Sequence, residues 1–228
     1  EYVAAAVLSE IDPPSADVTA HMLEMLGAVD SAGEYAEATA AGIAWLLRHQ
    51  EADGSWFGRW GANHVYGTGA VVPALIAVGL PASTPAIKRA VRFLEKHQNP
   101  DGGWGEDLRS YHDPRAWVGR GTSTASQTAW ALLALLSVGD DSVSLRRGIR
   151  FLLDTQRADG SWDEPQYTGT GFPGDFSINY HLYRRGVPLS ALGRYGGIRR
   201  GIDLTSGANE ARRASDASDA AAFAERED

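Results

Sequence analysis

An aspartate and a histidine four residues apart, Asp17 and His21 in the stretch DVTAH, are the pair in this sequence best suited to handling a proton. On a helix, positions i and i+4 share a face. The Asp17 carboxylate could accept from one ring nitrogen of His21 and leave the other to engage a carboxylic acid. A cationic imidazole favours loss of that acid's proton and so makes it a stronger donor. The same spacing also describes an ordinary surface pair, and both readings stand at this level. A second set is aromatic: Phe172, Phe176, Tyr180 and Tyr183 recur at intervals of four, four and three, which a helix would align on one face. By pattern alone such a stripe packs a core. There is no cysteine, which removes disulfides, thiolate nucleophiles and Cys-ligated zinc together.

The elements that must position these residues show themselves as a repeat. HQEADGSW, HQNPDGGW and TQRADGSW each place a Trp six residues after a Gln, with Asp-Gly between. Before the three glutamines run AGIAWLLRHQ, RAVRFLEKHQ and RGIRFLLDTQ, whose apolar residues at offsets of three predict amphipathic helices. Elsewhere in each unit lies an eleven-residue stretch from a Thr to a Val: TAHMLEMLGAV, TGAVVPALIAV and TAWALLALLSV. Their interiors are apolar nearly all round, which predicts helices buried on most sides. Alternating buried and amphipathic helices make an inner and an outer layer, and strand signals are weak throughout. The expected fold is all-α, an α/α barrel or part of one. Asp53-Gly54, Asp101-Gly102 and Asp159-Gly160 supply the turn after each outer helix. Gln50, Gln98 and Gln156 are expected to bond exposed backbone at helix ends, and Trp56, Trp104 and Trp162 to bury flat surface against it. With Gly54, Gly102 and Gly160 these residues hold the fold; they do not react.

At 228 residues, 43% of them apolar, the chain has ample material for a core. Residues 1–200 are expected to form the barrel domain. Residues 201–228, rich in Ser, Ala, Asp and Glu, hold seven acids and three arginines and so half of the net charge of −8. That segment is expected to be a disordered tail with at most a short helix around Glu210–Arg213. An acidic chain without a basic stripe argues against nucleic acid. The longest apolar stretch, residues 129–139, is too short to span a bilayer, and no signal peptide opens the chain. The first residue is Glu, so a processed or partial chain is expected.

The repeated Gln-x-x-x-Gly-x-Trp on helices resembles the QW motif of the triterpene cyclases. GSWFGRWGANHVYGTG, HQNPDGGWGEDLRSY, GTSTASQTAWALLAL, DEPQYTGTGFPGDF and INYHLYRRGVPLSALGRY are similar to the carboxy-terminal half of bacterial squalene–hopene cyclases. The resemblance runs from about Asp12 to Tyr195. It implies two α/α barrels in a monotopic membrane enzyme, of which this chain would be much of the second. It further implies proton-initiated carbocation closure of squalene to a pentacycle, with no metal or organic cofactor. In that chemistry aromatic faces stabilise positive charge, by about 2 kcal/mol per desolvated ring, and a prefolded polyene lowers the entropic barrier. By motif, pocket aromatics fall on Trp60, Tyr66, Phe172, Phe176, Tyr180 and Tyr183, and Asp17 and His21 become the support of a catalytic Asp.

That acid belongs to an Asp-x-Asp-Asp motif which does not occur here; the acids at 139–142 (GDDS) lack the spacing. The resemblance implies that it lies upstream, so the chain alone is expected not to turn over squalene. Expected partners are squalene or a similar polyprene and, for the complete enzyme, a second copy and the cytoplasmic side of a membrane. His64 stands where an aromatic is common and Ser177 where a second aromatic is frequent. Either would widen or polarise the cavity, and His64 is equally a packed residue. Two other readings remain: a non-catalytic half-barrel that binds isoprenoid lipids, and a prenyltransferase β-subunit-like protein, against which the missing cysteines argue.

Overall fold

The computed structural model describes residues 13–200. Three helices form an inner layer: α1 (Ala16–Val29), α3 (His64–Ala77) and α6 (Ala125–Ser137). Three more pack outside them: α2 (Ala36–Arg48), α4 (Pro85–Lys96) and α7 (Val143–Thr155). Helix α3 packs against α1 on one side and α6 on the other, and α2 and α7 lie against the inner helices α1 and α6 of their own hairpins. This is an arc of an α/α barrel, as the alternation of patterns predicts.

Sequence explains the two layers. Helix α3 buries every residue from His64 to Leu75, and α6 buries nearly all of its length. The two approach closely because Gly69 has no side chain: a Cβ there would lie 2.8 Å from the Trp130 carbonyl oxygen. Helix α4 instead buries one stripe, Ala86, Ile87, Ala90, Phe93 and Leu94, and turns its charged residues outward. Hydroxyl caps start two of the helices: Thr124 Oγ1 accepts from the Gln127 N–H, and Ser142 Oγ from the Leu145 N–H.

Helix α1 departs from expectation. It buries only Ala16, Asp17, Ala20 and Leu23, while Val18, Met22, Met25 and Val29 are exposed. Among the described residues it has α3 on one side and α2 behind, and no inner helix on the other side. An all-round apolar pattern reports what a helix needs, and α1 has half of it.

Between α4 and α6 the chain makes a 3-10 turn (Leu108–Tyr111) and a one-turn helix α5 (Pro114–Trp117). After α7 come two strands, β1 (Gly169–Phe172) and β2 (Phe176–Ile178), paired antiparallel with Phe172 opposite Phe176. This short hairpin is the one place among the described residues where the weak strand signals become strands, in a fold that is otherwise helical as expected. Its signal is faint because it pairs through Gly and Thr backbone, without alternating β-branched residues. Helix α8 (Tyr183–Arg199) follows. The chain divides into two compact units, Glu1–Ala191 and Leu192–Asp228. In the second, the Arg199 guanidinium lies 5.9 Å from the Tyr195 ring. The tail expected at 201–228, with its helix at Glu210–Arg213, lies outside the described residues.

Candidate functional site

Asp17 sits in the first turn of α1, fully buried. Its carboxylate accepts three backbone N–H groups: Val18 at 3.1 Å, Arg59 at 3.0 Å and Trp60 at 2.8 Å. A buried carboxylate needs such partners, and these fasten the loop before α3 to the start of α1. The expected bond between Asp17 and His21 is absent. The carboxylate is turned to the Arg59–Trp60 backbone, while His21 Nε2 lies 3.3 Å from the hydroxyl of Tyr66 on α3.

Tyr66 is almost fully buried, its ring against the bare backbone of Gly61, where a Cβ would come within 2.5 Å of the ring. Burial first, and the Asp17 charge second, push its phenol far above the ordinary tyrosine range, so the hydroxyl stays protonated. From Tyr66 a run of aromatic contacts crosses the inner layer. Trp130 on α6 meets Tyr66 edge to face at 4.7 Å, Tyr183 meets Trp130 at 5.1 Å, and Tyr180 meets Tyr183 at 4.9 Å. Trp130 is the residue that sequence reasoning missed. Its signal is the repeat register: it stands two residues after Thr128, as His21 stands two after Thr19.

Phe172 and Phe176 do not continue a helical stripe with Tyr180 and Tyr183. They are cross-strand neighbours at the tip of the hairpin, 52% and 56% exposed. Gly174 turns the chain between the strands at φ +88°, which ends any helix there. Glycines make the floor: a Cβ on Gly171 would strike the Phe176 ring at 2.5 Å, and one on Gly169 the Tyr180 ring at 2.5 Å. The hairpin is strapped to the Trp60 loop by Thr170 N–H to Trp60 O (3.1 Å) and Ala62 N–H to Thr168 O (2.9 Å). Trp60, half-buried, carries the Arg59 guanidinium 5.3 Å from its ring centre. The six aromatics and Asp17–His21 are thereby linked through one loop, one hairpin and the faces of three inner-layer elements.

His64 is packed rather than open: its Nδ1 lies 3.1 Å from Glu106 Oε1, and both side chains are buried. Glu106 also accepts the Val65 N–H at 2.8 Å, in the first turn of α3. Glu164 repeats this on α6, accepting from the Ser126 N–H (2.8 Å) and hydroxyl (2.7 Å). A carboxylate at a helix N-terminus satisfies orphan donors and the macrodipole together. Ser177 is half-buried in β2. Tyr111 donates to the carbonyls of Gly58 (2.9 Å) and Gly61 (2.8 Å), and its own phenol is likewise held up by burial.

The three Gln–Trp motifs share one frame. Trp56, Trp104 and Trp162 each donate the indole N–H to the carbonyl ten residues earlier: Leu46, Leu94 and Leu152, at 2.7, 2.7 and 2.8 Å. Those carbonyls lie at the C-terminal ends of the outer helices, where backbone partners run short; Leu46 O and Leu94 O also accept the N–H of His49 and His97. Gly54, Gly102 and Gly160 take φ of +97°, +93° and +81° in the intervening turn.

The profile of the Squalene-hopene cyclase C-terminal domain matches residues 4–197. This chain belongs to the squalene–hopene cyclase C-terminal domain family. It is 57% identical over 185 residues to the squalene–hopene cyclase of Alicyclobacillus acidocaldarius, covering 81% of this chain and 29% of that one. The dammaradiene synthase of Dryopteris crassirhizoma is 43% identical, with 81% and 30% covered. The chain therefore spans about three-tenths of the length of these cyclases. Among solved structures, the ent-copalyl diphosphate synthase from Streptomyces platensis superposes with a TM-score of 0.62 at 26% identity, over 81% of this chain and 34% of that one. The type II terpene cyclase MstE from Scytonema gives 0.53 at 21% identity, over 70% and 51%, which shows the fold alone.

Proposed function

We propose that this chain is the C-terminal part of a class II terpene cyclase that closes squalene or a related polyprene into a polycyclic product. The acid in this reading is a carboxylic acid of an Asp-x-Asp-Asp motif outside the chain. Its O–H bond breaks, the alkene π pair forms the new C–H bond, and positive charge passes down the folded polyene as rings close. His21 and Tyr66 support that acid, and Asp17 fixes the loop that carries Trp60. Trp60, Phe172, Phe176, Tyr180 and Tyr183 line the cavity and face the developing charge.

One observation carries the reading: the aromatic run Tyr66–Trp130–Tyr183–Tyr180 begins at a histidine. A proton-handling group at one end and ring faces beyond it is the order that acid-started cation chemistry needs. Contact with a membrane surface belongs to the complete enzyme in the same proposal; among the described residues no helix is long and apolar enough to cross a membrane.

The test replaces the matching segment of the Alicyclobacillus cyclase with residues 13–200. The chimera is expected to make cyclic triterpenes from squalene, and the chain alone to make none. A folded chimera without product, or pentacycles from the chain alone, would overturn the proposal. The exposed rings of Phe172 and Phe176 favour a second reading, isoprenoid binding without turnover. Under it, squalene would protect the hairpin from proteolysis and the chimera would bind but not cyclise.

A further inference from the structure

Two of the connections between a motif tryptophan and the next inner helix are closed by the same bond. Trp56 N–H donates to the hydroxyl of Thr68 on α3, 12 residues later, and Trp104 N–H to the hydroxyl of Thr128 on α6, 24 residues later. The second connection is thus twice as long as the first between equivalent ends. Its extra length folds into the 3-10 turn Leu108–Tyr111 and the short helix α5. An aspartate starts each piece: Asp107 Oδ1 accepts the Arg109 N–H, and Asp113 Oδ1 the Ala116 N–H. Capped in this way, the detour has a defined shape.

The detour reaches back to the loop that carries Trp60. The Tyr111 hydroxyl lies on two carbonyls at once, Gly58 O at 2.9 Å and Gly61 O at 2.8 Å. Ser110, buried beside it, accepts from Asn63 Nδ2 at 3.1 Å, and Asn63 Oδ1 accepts the Gly58 N–H at 3.2 Å. The Phe57 ring stands edge-on to Tyr111 at 5.6 Å. His112 then abuts the hairpin turn, where a Cβ on Gly174 would lie 3.0 Å from its Cε1. One short turn therefore touches both carriers of the aromatic wall.

The two glycines are forced by close approach. A Cβ on Gly58 would be 2.5 Å from Asn63 O, and one on Gly61 2.5 Å from the Tyr66 ring. Glycine leaves the backbone free to turn at both places, one on either side of Arg59 and Trp60. Asp17 holds the N–H groups between these hinges, and Tyr111 holds the carbonyls of the hinges themselves. We infer that Tyr111 is a positioning residue for Trp60: by closing both hinges with one hydroxyl it sets the indole face against the bound polyene, and so the mixture of cyclised products. The inference rests on the cyclase reading proposed above, and in it Tyr111 acts only through Trp60.

The test is Tyr111→Phe, which keeps the ring and removes only the hydroxyl. In the full chain the indole 15N–H signal of Trp60, assigned by Trp60→Phe, is expected to shift and broaden, with that of Trp162 unmoved. In the chimera carrying residues 13–200, kcat for squalene is expected to fall about tenfold, with KM changed less than about twofold and the share of minor products raised about threefold. Tyr111→p-aminophenylalanine returns a donor to the same place and should restore the signal and the mixture. A merely structural hydroxyl would lower the melting temperature and leave the mixture alone. An unmoved Trp60 signal overturns the inference, and so does an unchanged mixture from an active Tyr111→Phe chimera. If that chimera does not fold, the full chain decides: a Trp60 signal broad in Tyr111→Phe and sharp in Tyr111→p-aminophenylalanine upholds the inference, and equal signals overturn it. A folded chimera without product before any substitution overturns the catalytic reading, and the inference with it.

Discussion

The hydroxyl of Tyr66 lies 3.3 Å from Nε2 of His21, joining two inner helices through a phenol and an imidazole. Only one nitrogen of His21 is used in this contact, and the residue is exposed on α1. The histidine is therefore held by a neutral partner rather than by a carboxylate.

Tyr66→Phe tests what that hydroxyl does. It deletes one hydrogen bond worth about 1 kcal/mol and no packing volume. In the chimeric cyclase, turnover is expected to fall roughly tenfold, because His21 loses its fixed orientation. Stability should fall by no more than about 1 kcal/mol. Product formation from squalene and urea unfolding read the two effects separately. Full turnover would remove Tyr66 from the proton-handling arm.

Alkaline pH should unfold the protein through its buried phenols. Tyr66 and Tyr111 are both held above the ordinary range by burial. A phenol with a raised folded pKa keeps its proton in the fold and gives it up more readily when unfolded. Its contribution is complete below the unfolded pKa of about 10 and is lost as pH climbs toward the folded value. Melting temperature is thus expected to drop between about pH 10 and 11.5, with a shallower drop in the Tyr66→Phe, Tyr111→Phe double variant. Equal slopes for the two proteins would contradict this.

The three motif glutamines should differ in worth. Gln50→Ala and Gln98→Ala each lose two hydrogen bonds that tie the motif turn to the next helix, and release an arginine, at a cost of about 1–3 kcal/mol. Gln156→Ala loses a single bond within an exposed turn and should cost under about 0.5 kcal/mol. Thermal unfolding of the three variants ranks them directly.

Two glycines should separate stability from shape. Gly61→Ala drives a methyl into the buried Tyr66 ring and is expected to cost about 1–3 kcal/mol. Gly171→Ala meets the Phe176 ring, which is exposed and can swing away, so stability should hardly change. Its effect should appear instead in the product mixture of the chimera, read by gas chromatography. An unchanged mixture would remove Phe176 from the cavity wall.

The layers were legible because helical periodicity survives in single sequences: α3, α4, α6 and α7 stand where their patterns put them. The motif turns were legible because Asp-Gly has few conformations. The aromatic set misled for a physical reason. Spacings of four between Phe172, Phe176 and Tyr180 look helical, but Gly169 and Gly171 before them and Pro173 and Gly174 between the two phenylalanines favour extended and turn backbone, and that preference won. The Asp17 and His21 pairing failed similarly: i,i+4 spacing offers a contact, while the Arg59 and Trp60 N–H groups, far away in sequence, take the carboxylate. Trp130 went unremarked because a tryptophan in an apolar helix looks like core until its neighbours across three elements are known.

Asp17 grips its loop by the backbone N–H groups of Arg59 and Trp60, and the hairpin is tied to that loop by backbone bonds as well. None of these ties reads a side chain at position 59, 60, 172 or 176. The wall can change its residues without loosening the frame that carries them. A lineage could redecorate this surface one ring at a time, with the frame never in play.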